Sequence, residues 1–197
     1  FERQVEYLCR TYELLPLDKL AQYLKQGKSL PEKAVVITLD DGNRDNYLYA
    51  YPVLQKYHVP ATIFLATGHI GTGKPFWWTK VDYVIQNTPL TELELNGLGS
   101  YSLQSSQERS QAVFATIDRL NEIAEKEKNS LIEKLLNISG VDIPADLAKE
   151  RILSWDEVRE MKEGGISFGA HSVTHPILTR VSLEQAKYEI IQSKKDI

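Results

Sequence analysis

Two short clusters in this chain hold side chains with obvious chemical capacity. The first closes VVITLDDG (35–42), where Asp40 and Asp41 stand side by side before Gly42. Neighbouring carboxylates raise each other's pKa, so they need a cation, a shared proton or open water to be tolerated. The second is HSVTH (171–175), where His171 and His175 are four residues apart. At that spacing one helical turn would aim both imidazoles at a single point, and Pro176 limits it to a brief turn. Two imidazoles and a carboxylate are a frequent ligand set for a catalytic divalent metal, leaving positions open for water and substrate. One aspartate would then bind the ion. The other would take a proton from a water whose pKa such an ion lowers to about 7. Taken singly, Asp-Asp-Gly is usually a turn and His-x-x-x-His usually a core or surface pair, so the case rests on what brings them together.

That depends on the elements around them. AVVITLD (34–40), ATIFLAT (61–67) and ISFGAHS (166–172) are short, continuous apolar runs, as expected of parallel strands buried on both faces. A helical segment at 46–57 joins the first two, with Pro52 near a boundary, so the order strand–helix–strand predicts a parallel βαβ unit. Functional groups in such folds gather at the C-terminal strand ends, which here carry Asp40-Asp41, Thr67-Gly68-His69 and His171 to His175. A Ser154…Glu157 capping box opens a helix before the third strand, and a Ser182…Gln185 box opens the last one. Residues 14–27 read as a short helix, and 107–139 as two helical pieces separated by EKEK (125–128), a charge run expected to be solvated. GLGSYSLQSSQ (97–107) reads as an exposed loop. The stretch between strands two and three, roughly 90 residues, exceeds a simple crossover and reads as an insertion. The final helix still shows its pattern at Ile197, which predicts a chain cut short of a longer polypeptide.

Composition narrows the functional classes. With 197 residues, 42% apolar, the chain suits one globular domain. A net charge of −4 and a pI near 5.6 make no electrostatic case for nucleic acid or an anionic membrane as partner. No apolar run is long enough to span a bilayer, and FERQVEYLCR (1–10) lacks the apolar core of a signal peptide. The single cysteine, Cys9, excludes an internal disulfide and a thiolate zinc site; its flanks predict a buried position. His58 and His69 are read as structural, and Trp77 and Trp78 as packing aromatics rather than a sugar-binding rim.

TLDDG (38–42) and HSVTH (171–175) resemble the first two motifs of the polysaccharide deacetylases, the NodB-homology or carbohydrate esterase family 4 proteins. PATIFLATGHIG (60–71), SWDEVREM (154–161) and HPILTRVSLEQAKYEI (175–190) are also similar, so the likeness covers most of the chain and is weakest over 76–150. The resemblance implies an α/β fold, a distorted (β/α) barrel, here incomplete at the C-terminus. It implies a single deacetylase domain over 1–197 with a helical insertion at 76–150. It also implies a metal-dependent hydrolase that removes N-acetyl or O-acetyl groups from a polysaccharide or amino sugar, extracellular or in the cell envelope. On that pattern Asp40 is the general base, and Asp41, His171 and His175 hold one divalent ion, zinc first, cobalt or nickel as alternatives. Leu39 stands where the family usually has Phe, a conservative change. The later motifs, an Arg- and Pro-containing groove segment and a His general acid, have no counterpart here and would lie beyond Ile197.

Two other readings follow from the same residues. A metal- or carbohydrate-binding remnant without turnover would keep the triad and lack the later motifs. A signalling receiver domain also ends its first strand in paired acids, but it needs a phospho-acceptor acid at a later strand end, where this chain has Thr67 and His171.

Overall fold

The computed structural model describes residues 1–197. In chain order the elements are α1 (Glu2–Thr11), β1 (Glu13–Leu14), α2 (Leu17–Lys25), β2 (Ala34–Val35) and β3 (Ile37–Leu39). A π-helical turn at Asn46–Ala50 runs into α3 (Tyr51–Lys56), followed by β4 (Ala61–Leu65) and α4 (Trp77–Asn87). Then come β5 (Glu92–Leu95), β6 (Gly99–Ser102), α5 (Ser106–Glu122), α6 (Glu125–Ser139) and α7 (Leu147–Arg151). The chain ends with α8 (Trp155–Glu163), β7 (Ser167–Ala170), a 3-10 turn at Leu178–Arg180, and α9 (Leu183–Asp196). It divides into two compact units. One comprises Phe1–Gly73, Lys149–His175 and Lys187–Ile197; the other comprises Lys74–Ala148 and Pro176–Ala186.

The first unit is built on a parallel sheet of order β3-β4-β7, with Ile37 opposite Ala61 and Thr62 opposite Ser167. β1 and β2 form a second parallel pair, Glu13 opposite Ala34. Parallel strands joined by helices are the repeating unit of a (β/α) barrel wall. β4 lies between two strands and buries Ala61, Thr62, Ile63 and Leu65. The core around it includes Leu54, Ala66, Ile70, Leu153, Met161 and Ile166.

The 34–40 run departs from expectation. It breaks at Val36, ends at Leu39 and is only half-buried, with Thr38 exposed. Its apolar continuity misleads because β3 has a pairing partner in its sheet on one edge only and its Thr38 face is open. Cys9 is also exposed rather than buried. In α1 only Val5 is fully covered, and Leu8, three residues on, takes the half-buried position that Cys9 would need.

The second unit has its own core, in which Val81, Val84 and Ile85 of α4 meet Leu93, Leu103, Leu120, Leu131 and Leu135. GLGSYSLQSSQ is not a plain loop. Gly99–Ser102 pairs antiparallel with Glu92–Leu95, and the turn between them carries Gly97 at φ +98°. The polar, glycine-rich composition hides a strand whose outward face is solvated. EKEK is the first turn of α6 rather than a separator, and Lys128 is 1% exposed. Its ammonium pairs with Glu125 at 2.7 Å and lies 4.8 Å from the Trp77 ring centroid. Carboxylate and aromatic face together replace the water that burial removes. Trp77 packs against this core and Trp78 stacks on Phe76 at 4.4 Å, so both act as packing aromatics.

Candidate metal centre

Past Leu39 the chain turns sharply. Asp41 (φ 72°) and Gly42 (φ 82°) are both left-handed, and the Gly42 N–H donates to the Asp40 carbonyl at 2.9 Å. A left-handed non-glycine residue costs roughly 1–2 kcal/mol and persists only where its surroundings enforce it. Here they do. Asp41 accepts the Ala66 N–H at its carbonyl (3.2 Å), Gly42 accepts the Leu153 N–H (3.0 Å), and the Arg44 N–H reaches the Arg151 carbonyl (2.8 Å). Arg44 also pairs with Glu157 at 2.8 Å. Glu157 is the closing residue of the Ser154 capping box, so the group that starts α8 also anchors the acid loop. Gly42 is required twice over: φ is positive, and a Cβ would fall 2.7 Å from Ile70 Cδ1.

The histidine pair is not on a helical turn. Residues 171–175 form an irregular loop with Ser172 (φ 64°) and His175 (φ 56°) left-handed. Two reversals, rather than 3.6-residue periodicity, bring the rings to a centroid separation of 4.9 Å. The loop is laced to the end of β4: the His171 N–H donates to Leu65 O (2.8 Å), Thr67 N–H to Ser172 O (3.1 Å) and Gly68 N–H to Val173 O (2.8 Å). Inside the loop the Ser172 hydroxyl accepts the His175 N–H at 3.1 Å. A Cβ on Gly68 would sit 2.7 Å from the Val173 carbonyl oxygen, so only glycine permits this approach.

These two loops bring Asp41, His171 and His175 together. His175 Nε2 lies 3.0 Å and His171 Nε2 3.5 Å from Asp41 Oδ1, with side-chain exposures of 25% for Asp41 and 36% and 31% for His171 and His175. One donor atom from each falls within 4.8 Å of the others. The hydrogen bond from His175 holds the Asp41 carboxyl below the ordinary carboxylate range. Partial burial opposes this, while the charges of His175 and His171 and a hydrogen bond from Asn43 add to it. The donor set fits a divalent ion. Metal–ligand bonds of about 2.0–2.2 Å put tetrahedral donors roughly 3.3–3.6 Å apart, near the 3.5 Å and 3.0 Å from the two imidazoles to Asp41. One carboxylate oxygen and two imidazole nitrogens also match the preference of zinc and its neighbours.

Asp40 is exposed at the start of the same loop. Three contributors escape sequence reading: Asn43, which bonds Asp41; Gly68, which admits the histidine loop; and Glu189 of α9, which accepts the Val173 and Thr174 N–H groups. Asn43 lies two residues past Asp41, across Gly42, in the same turn. Nothing local marks the other two.

The geometry and the fold point the same way as comparison with known proteins. The chain belongs to the polysaccharide deacetylase family, whose model matches residues 27–197. It is 28% identical over 182 residues to the poly-beta-1,6-N-acetyl-D-glucosamine N-deacetylase of Staphylococcus epidermidis, covering 86% of this chain and 58% of that protein. It is 42% identical over 72 residues to the Staphylococcus aureus enzyme of the same name, covering 36% of this chain and 24% of that one. The chain thus spans less than two thirds of the length of these relatives. The Streptococcus pyogenes deacetylase PplD, solved in complex with acetate, superposes with a TM-score of 0.53 at 20% identity, covering 98% of this chain and 53% of that structure. That likeness establishes a shared α/β fold.

Proposed function

We propose that this chain carries the metal-binding part of a hydrolase that removes N-acetyl, or O-acetyl, groups from a polysaccharide or amino-sugar substrate. The observation that carries the reading is the convergence of Asp41, His171 and His175 just past the ends of β3 and β7, the two strands that flank β4 in one parallel sheet. Asp41, His171 and His175 would hold one divalent ion, zinc in the first place, with cobalt or nickel able to substitute. When bound, such an ion polarises an acyl carbonyl and favours ionisation of water. Asp40 is the general base: one residue from Asp41, exposed and outside the His175–Asp41 hydrogen bond, it is free to accept the proton of the attacking water. Family membership supports acetylated polysaccharide as substrate, and the staphylococcal relatives, named for poly-beta-1,6-N-acetyl-D-glucosamine, make a β-linked N-acetylglucosamine polymer the first to try. Such a polymer is a cell-surface or cell-wall material, so the site of action is extracellular or at the envelope. On this reading residues 1–197 are one deacetylase domain and 76–150 an insertion in its sequence. No helix is long and apolar enough to cross a membrane.

The test is acetate release from N-acetylglucosamine oligomers by the zinc-loaded protein. The wild type is expected to release acetate. Asp40→Asn is expected to keep its metal and lose activity by about 10²- to 10⁴-fold, the usual contribution of a general base. Normal turnover by Asp40→Asn would remove the base assignment. Metal binding with no acetate release from any oligomer would leave a binding remnant.

A further inference from the structure

α9 buries two polar side chains while leaving its two isoleucines exposed. Glu189 is 0% and Ser193 1% exposed, whereas Ile190 and Ile191 are 57% and 53% exposed. A helix selected only for packing would turn its isoleucines inward. The inward carboxylate has specific partners. Glu189 Oε2 accepts the backbone N–H groups of Val173 (2.7 Å) and Thr174 (2.8 Å), and Oε1 accepts the Thr174 hydroxyl (2.7 Å). Ser193 bonds the Glu189 carbonyl at 2.6 Å, and Asp196 accepts the Thr67 hydroxyl at 2.7 Å. Val173 and Thr174 are the middle of the loop whose ends are His171 and His175.

We infer that Glu189 is a positioning residue for the metal site: it sets the spacing of His171 and His175 by clamping the two amides between them. The loop has two left-handed residues and no helical ladder, so its shape depends on what its N–H groups meet. The carbonyls of Ser172 and Val173 are held from the β4 side, but the N–H groups of Val173 and Thr174 are held by Glu189. A buried amide left unmatched is costly, and only an acceptor on α9 serves both at once. Hydrogen bonds donated to a carboxylate are also stronger than those to a neutral oxygen. Glu189 does not touch the reacting atoms; it acts through the loop.

This inference rests on the reading of Asp41, His171 and His175 as the metal site, and its test separates the two. Cobalt(II) is titrated into wild type, Asp41→Ala, Glu189→Ala, Glu189→Gln and Met161→Ala. Affinity and visible absorption are recorded beside the unfolding temperature of the metal-free proteins. Glu189→Ala is expected to weaken cobalt binding by about 10- to 100-fold and to alter the visible band, as loss of a group supporting the ligands does. Glu189→Gln keeps an oxygen for the two amides and a nitrogen for Thr174, and is expected to restore most of the affinity. Met161 is fully buried in the same unit, so Met161→Ala lowers stability and should leave the affinity and spectrum of the folded protein unchanged. Wild-type binding and spectrum in Glu189→Ala, or equal loss in Met161→Ala, would overturn the inference. Unchanged binding in Asp41→Ala would instead overturn the site itself. Should Glu189→Ala fail to fold, Thr174→Val removes one of the three bonds. It should weaken cobalt binding by about threefold, the scale of one net hydrogen bond; no change would count against the clamp.

Discussion

Asp40 and Asp41 are neighbours in the chain with different surroundings. Asp41 bonds His175 and Asn43 and is three-quarters covered; Asp40 is exposed. The left-handed turn at Asp41 and Gly42 separates them, so the repulsion of adjacent acids is relieved by geometry as well as by the hydrogen bond from His175 to Asp41. This has a pH signature in the metal-free protein. The folded-state pKa of Asp41 is depressed, so its contribution to stability is present above the unfolded value, about 3.9, and disappears as pH falls through the folded value. Unfolding free energy measured in urea from pH 7 downward should therefore drop more steeply below about pH 4 in the wild type than in Asp41→Asn. Parallel curves would mean that the His175–Asp41 hydrogen bond contributes nothing. The acids and histidines are legible in the sequence because they stand directly after apolar runs and because histidine is scarce, four in the chain. Glu189 is not legible, since a glutamate in an amphipathic helix has every appearance of a solvated residue until the fold puts loop amides against it.

At the scale of elements, the two loops of the site are held by groups that also start, end or join the regular structure. Glu157 caps α8 and pairs with Arg44; Gly68 lets β4's end lie against Val173. Gly68→Ala would push a methyl group against a backbone carbonyl, which cannot rotate away. It should lower cobalt affinity as well as thermal stability, whereas Gly73→Ala, with open space around its Cβ but a positive φ, should cost stability alone. In the second unit Lys128 offers a contrast. Lys128→Ala leaves Glu125 without its partner and a void under Trp77, and should destabilise by about 2–4 kcal/mol. Lys128→Met refills the volume and should cost less than half as much in urea unfolding. Equal losses would show that the charge, not the packing, matters there. The strands and capping boxes are readable as elements because each carries a local signal. The hairpin at 92–102 is not, because its second strand is polar and exposed and carries no apolar alternation; nor is the role of EKEK, because Lys128 is buried against Trp77, distant in sequence.

On the scale of the whole molecule, the division into two units matches two kinds of construction. The first is a parallel sheet whose strand ends meet at Asp41, His171 and His175; the second is a helical and hairpin unit with its own core. The fold class follows from the strand–helix–strand order, and the structure agrees with it. The expected burial of the first strand fails because a continuous apolar run does not reveal whether neighbours cover both of its faces. If Asp41, His171 and His175 form one metal site, zinc stoichiometry and affinity in the purified protein will show it. One equivalent of zinc per wild-type chain is expected, with loss of that binding in each of Asp41→Ala, His171→Ala and His175→Ala. Full zinc binding by any of the three variants, or none by the wild type, would contradict it.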